Sequence, residues 1–231
     1  MSVPATTIAA STWRLVSPPS GAVARIAGGE DARRAARAAM ELAQADVVKR
    51  AEADAEYRPL LRRPGWEVIL YPFVRLGKYG SRFSDGSYGV FYAAFERRTA
   101  IAETVYHRSR LLAESSAPPA LIPISAYAVR IAGAFDDIRG ARDAFAAVYS
   151  KDDYNASQRF GQQRRNDGSS GIAYTSVRIA RGECIGIFRP RTIRSCTLAK
   201  RLRYEWDGAR IARVYVLAVS GRASSRPAKP K

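Results

Sequence analysis

Histidine is almost missing from this chain: 231 residues contain one, His107. A histidine-rich metal site is therefore excluded, and a Ser-His-Asp triad could be built only through that residue. Cysteine is nearly as scarce. Cys184 and Cys196 are too few for a disulfide framework or a zinc site of the usual spacing, and they read as buried free thiols of a reducing, cytoplasmic compartment. No run approaches 18 apolar residues, which leaves no candidate membrane-spanning helix, and the first ten residues lack the basic start and apolar run of an export signal. Neither GxGxxG nor GxxxxGK[ST] occurs, so no phosphate-cradling signature points to a Rossmann or P-loop enzyme. Chemistry here is left to carboxylate, arginine, tyrosine and serine.

Positive charge is plentiful. There are 38 Lys+Arg against 21 Asp+Glu, a formal net charge of +17, which calls for an anionic partner. The charge is uneven. Residues 58–110 hold ten basic and four acidic side chains, residues 151–203 hold twelve and four, and residues 29–57 are net negative. Residues 220–231 are rich in Pro, Ser and Lys and read as a disordered basic tail, and residues 1–10 as a disordered N-terminus. Between them, 11–219 is long enough for one domain with a real core.

Within that domain, 29–57 is an Ala-rich helical insertion, with Ala32, Ala36, Ala39, Met40, Ala43 and Val47 recurring at three- and four-residue steps. Residues 66–72 (Trp-Glu-Val-Ile-Leu-Tyr-Pro) are β-rich, and 90–93 read as a short buried strand. A helix over 97–112 follows, then a strand over 121–131 in which Pro123 argues for an edge or a strand start. Asp152 or Asp153 is placed to cap a helix running to about Arg165. Residues 171–178 and 184–188 pair as strands around a turn at Arg181-Gly182, and 210–219 supply a last strand. A helical insertion followed by strands mixed with short helices predicts an α+β domain.

Four segments stand together: Tyr71-Pro-Phe-Val-Arg75; Gly80-Ser-Arg-Phe83; Val90-Phe-Tyr-Ala-Ala94 with Thr99-Ala-Ile-Ala-Glu103; and Gly171-Ile-Ala-Tyr-Thr-Ser-Val-Arg178. In this order they resemble the RES-domain family, the toxins of RES–Xre toxin–antitoxin pairs, over about 66–214, with a weaker echo at Thr12-Trp-Arg-Leu15. The resemblance implies an ADP-ribosyltransferase-like mixed β core with surrounding helices. It also implies an enzyme that degrades NAD, as substrate rather than cofactor. An Xre-like helix-turn-helix antitoxin would neutralise it, touching nucleic acid only through that partner, in a homo-oligomer or a hetero-oligomer with the antitoxin. Arg82, Tyr92, Glu103 and Ser176 fall on the family's motif positions.

Those residue types suit the chemistry. Cleavage of the nicotinamide–ribose bond passes through an oxocarbenium-like centre that a carboxylate, Glu103, can stabilise. Nicotinamide leaves from a cationic state, so no second acid is needed. Arg82, with Arg75 as a second candidate, can hold the pyrophosphate bidentately. Tyr92, with Phe83 beside the arginine, supplies an aromatic surface for a ring of the substrate. Ser176 bonds the ligand or positions Glu103. Water, phosphate or a protein side chain could each accept the ribosyl group, which leaves glycohydrolase, phosphorylase and ADP-ribosyltransferase readings open. A non-enzymatic nucleic-acid-binding protein, suggested by charge alone, is the reading from another class. No metal is expected.

Overall fold

In a computed structural model of the chain, residues 3–17, 30–76 and 80–217 are described, except for the side chains of 30–33, 35–40 and 43. Seven strands form one mixed sheet: β1 (Ala5–Val16), β2 (Phe91–Ala94), β3 (Ala120–Asp137), β4 (Gly171–Thr175), β5 (Glu183–Ile187), β6 (Ile193–Trp206) and β7 (Ile211–Leu217). Four helices accompany them: α1 (Glu30–Ala53), α2 (Trp66–Val74), α3 (Arg97–Glu114) and α4 (Asn155–Asn166). The strand order is β1-β2-β5-β4-β3-β6-β7, and an additional β1–β3 pairing closes the first five strands into a ring. Long β3 makes this closure possible. Along one side it pairs with β1 from Ala5↔Asp136 to Val16↔Ser125. Along the other it pairs with β6 as far as Ile131, then with β4, in parallel, at Asp136 and Asp137.

The period-2 alternation of strand side chains divides the apolar residues into two clusters. Ile172 and Tyr174 of β4, with Cys184 of β5, join Leu15, Phe83, Ala100 and Trp206 in one. Ala173, Ile185 and Ile187 face the other way, against Val47 and Ala51 of α1 and Ile69, Leu70 and Phe73 of α2. The α+β expectation is met.

Two local expectations are corrected. Residues 66–72 are helical, not extended: Ile69, Leu70, Phe73 and Val74 are buried at a helical spacing on the second cluster. The segment is apolar almost throughout, and such a run cannot separate strand from helix by periodicity. Second, residues 5–10, read as part of a disordered terminus, form the first half of β1, where Ile8 is buried. Their small Ala and Thr side chains give little β signal alone; six backbone pairings to β3 hold them. The N-cap position of α4 is Tyr154, and Asp153, one residue before it, still caps the helix start as expected of it: its carboxylate accepts from the first-turn N–H of Asn155 at 2.8 Å.

Other expectations stand close to their boundaries. Pro123 lies in the part of β3 beyond the reach of β1, with Arg203 of β6 as its partner on one side only. β4 and β5 pair antiparallel around a turn where Arg181 takes a φ of 59°. In α1, Val47 and Ala51 are buried; the side chains of Ala32, Ala36, Ala39, Met40 and Ala43 lie outside the described residues, as do 218–231. Among the described residues no helix is long and apolar enough to cross a membrane.

Candidate active site

The loop before β2 carries Arg82 and is pinned from several directions. Gly80 has a φ of 68°, and a Cβ there would sit 2.5 Å from the Ser84 carbonyl, so the tight turn requires glycine. The Tyr92 hydroxyl accepts from the Phe83 N–H at 2.9 Å and shares a 2.9 Å hydrogen bond with Ser81 Oγ. Burial pushes that phenol's pKa up, so it stays protonated and acts as a fixed hydrogen-bonding post. Gln158 of α4 donates to the Ser81 carbonyl at 3.0 Å. Phe83 is fully buried, edge-on to Tyr174 at 5.0 Å. It anchors the loop inside the core and does not line the cavity described below.

Arg82 is correspondingly fixed, with 8% of its surface exposed. Its Nη1 donates to the carbonyls of Val148 (3.0 Å) and Ser150 (3.1 Å), and the guanidinium lies over the Tyr154 ring at 4.7 Å. Nε and Nη2 have no protein acceptor among the described residues and are not sealed from solvent. Those donors are free for a ligand.

Glu103 stands two turns into α3. Ser176, immediately after β4 and buried, donates from Oγ to Glu103 Oε1 at 2.6 Å. The same Oγ accepts from the backbone N–H groups of Arg178 (3.0 Å) and Ile179 (3.3 Å), which fixes the direction of its own proton. The Cys184 thiol lies 3.9 Å from Glu103 Oε1; burial and the nearby carboxylate push its pKa up, which makes it a poor nucleophile. His107, one turn further along α3 and about half exposed, places Nε2 3.8 Å from Glu103 Oε2. Burial lowers its pKa, Glu103 opposes that, and Arg178 and Arg82 add to the lowering.

Arg82, Tyr92, Glu103, Tyr154, Tyr174 and Cys184 line one cavity of about 450 Å³ between α3, β1, β2 and the arginine loop. That volume lies in the range of small-molecule sites. The structure thus brings Arg82, Tyr92, Glu103 and Ser176 together, Ser176 from behind the carboxylate. Arg75 is not among them. It is exposed at the end of α2, with its guanidinium 5.6 Å from the Tyr71 ring. Tyr154, Tyr174 and Trp13 are not distinguished by the sequence, although Tyr174 and Trp13 fall inside segments that carry the family resemblance. What hid them was their ordinary look as core aromatics. Among the described residues no three His, Cys, Asp or Glu side chains converge as metal ligands.

Comparison with known proteins places this site in context. Residues 55–207 match the RES domain. An uncharacterized protein, y4oC, of Sinorhizobium fredii is 26% identical over 161 residues, 69% of this chain and 65% of that protein's length. Among solved structures, the crystal structure of the M. tuberculosis MbcT–MbcA toxin–antitoxin complex aligns with a TM-score of 0.49 and 10% identity, over 89% of this chain and 88% of that one. Since the RES match spans well over half of its length and contains Arg82, Tyr92, Glu103 and Ser176, the chain belongs to the RES-domain family.

Proposed function

We propose that this protein is a toxin that degrades NAD by cleaving the bond between nicotinamide and ribose, and that an Xre-like antitoxin restrains it. The observation that carries the reading is the 2.6 Å Ser176–Glu103 hydrogen bond at a cavity wall, with the open N–H donors of Arg82 in the same cavity. Free Arg82 donors offer a bidentate seat for the pyrophosphate. Glu103 is held by Ser176 on Oε1, so Oε2 is the oxygen left for the ribose, where it can accept from a hydroxyl and stabilise the developing cation. The C1′–N bond breaks with its electron pair going to nicotinamide, which leaves neutral. Water or phosphate then bonds to C1′; when water attacks, its proton passes to solvent or to a carboxylate. Ser176 has its proton committed to Glu103, the carboxylate needed to stabilise the ribose cation, so it is a positioning residue and not the nucleophile.

Purified protein incubated with NAD, with and without phosphate, should release nicotinamide. Glu103→Gln should lower the rate by about 10³-fold, the scale of losing a principal electrostatic stabiliser. Intact NAD after incubation of the wild type with water, phosphate and cell protein all supplied would defeat the reading. Mass spectrometry of the products then distinguishes hydrolysis, phosphorolysis and transfer to protein.

A further inference from the structure

The cavity extends past Glu103 along α3. Beyond Glu103 its wall continues along α3 with Thr104, Arg108 and Leu111, and Trp13 and Leu15 of β1 also line it. Arg108 lies five residues beyond Glu103, about 7.5 Å further along the helix axis. It is half-buried.

What sets Arg108 apart is its lack of a hydrogen-bond or ion-pair partner among the described residues. Each other half-buried or buried arginine among the described residues has an acceptor or a ring. Arg63 donates to the Ile193 carbonyl, Arg139 to Asp137 and Glu183, and Arg164 faces Asp136; Arg97 lies over Trp13 and Arg165 over Tyr88. Arg14, Arg178 and Arg189 donate to oxygens of Tyr92, Tyr154 and Arg165. For Arg108 the structure records only an electrostatic interaction with Tyr204, whose hydroxyl is already bonded to Thr104 Oγ1 at 2.7 Å. The Arg108 nitrogens are not sealed from solvent, so a half-buried guanidinium with no acceptor is open to a ligand, and its natural complement is an anion. Among the described residues no carboxylate supplies one.

We infer that Arg108 forms a second subsite of this cavity, which takes the nucleotide end of the substrate with the guanidinium on a phosphate. This rests on the NAD-degrading reading for the position of the scissile bond. Arg82 holds one phosphate near Glu103, and Arg108 holds a second. Two groups share that chemistry: the adenylate phosphate of any dinucleotide, and the 2′-phosphate of a phosphorylated one.

Calorimetric titration of the full-length protein carrying Glu103→Gln, which halts turnover, provides the test. The ligands are ADP-ribose, NAD, NADP and nicotinamide mononucleotide. Added Arg108→Gln should weaken ADP-ribose binding at least 10-fold and leave nicotinamide mononucleotide, which has one phosphate, within twofold. Arg108→Lys should recover part of the loss, with an unchanged melting temperature excluding misfolding. A larger loss for NADP than for NAD assigns the subsite to the 2′-phosphate, and equal losses assign it to the adenylate phosphate. Unchanged binding of both ADP-ribose and NADP, or equal weakening of the mononucleotide, overturns the subsite. ADP-ribose has no nicotinamide bond, so Arg108-dependent binding without nicotinamide release would defeat the cleavage reading alone.

Discussion

Ser176 makes three hydrogen bonds through one oxygen, and their directions matter more than their number. Two backbone N–H groups donate to it, so its single proton has one place to go, Glu103 Oε1. A charge-assisted bond of this kind contributes about 1.5–3 kcal/mol. It fixes the carboxylate in one rotamer before any ligand arrives, which is how a side chain that never touches substrate can affect a rate. Ser176→Ala should therefore lower kcat by about 10- to 100-fold, the rate equivalent of that energy, while KM changes little. Ser176→Thr, which keeps the hydroxyl, should recover part of it. Steady-state kinetics with nicotinamide as the readout checks this; a loss expressed in KM with kcat intact would mean that Ser176 binds the ligand instead.

Among the elements, α4 shows how helix packing reaches the site. Gly161 lies where the helix passes the arginine loop: a Cβ there would be 2.3 Å from the Phe83 carbonyl oxygen and 2.7 Å from Phe83 Cβ. Backbone on both sides leaves neither able to yield cheaply, and Phe83 is the residue next to Arg82. Gly161→Ala should cost roughly 1–3 kcal/mol, as overpacking does, and should reduce activity further by moving the Arg82 loop. A thermal melt and an activity assay of the same protein check both; full activity at lowered stability would separate the loop from the site. Such a contact is invisible in sequence, where Gly161 is merely a glycine in a helical stretch. Legibility followed chemistry. Arg82, Tyr92, Glu103 and Ser176 were readable because their spacing resembles a family pattern, and α3, β2, β4 and β5 surround them within three residues of expectation. Helix α2 was not, because a nearly continuous apolar run takes its conformation from the surface it meets. Arg108 was not either, since what distinguishes it is the absence of a hydrogen-bond or ion-pair partner among the described residues, and partners are a property of the fold.

At the scale of the whole molecule, the ring of five strands explains why the family match and the folding unit differ. The matched region begins at residue 55, yet β1 lies at residues 5–16 and pairs with both β2 and β3. Without it, β2 and β3 would each present an open edge, and Leu15 would leave the apolar cluster that also holds Phe83 and Ala100. The buried Thr12 hydroxyl, donating to the Val129 carbonyl at 3.1 Å, would be lost too. Trp13 and Leu15 also wall the cavity, so stability and function are coupled through one strand. The tally is unfavourable: twelve strand residues, two buried apolar side chains in Ile8 and Leu15, and closure of the sheet, against a total stability that for domains of this kind is about 5–15 kcal/mol. Deleting residues 1–16 should therefore abolish the cooperative thermal transition and promote association through the exposed β2 and β3 edges, although every residue of the RES match is retained. Circular dichroism melts together with light scattering check this. A truncated protein that melted cooperatively within a few degrees of the full chain would show that the ring closes without its first strand.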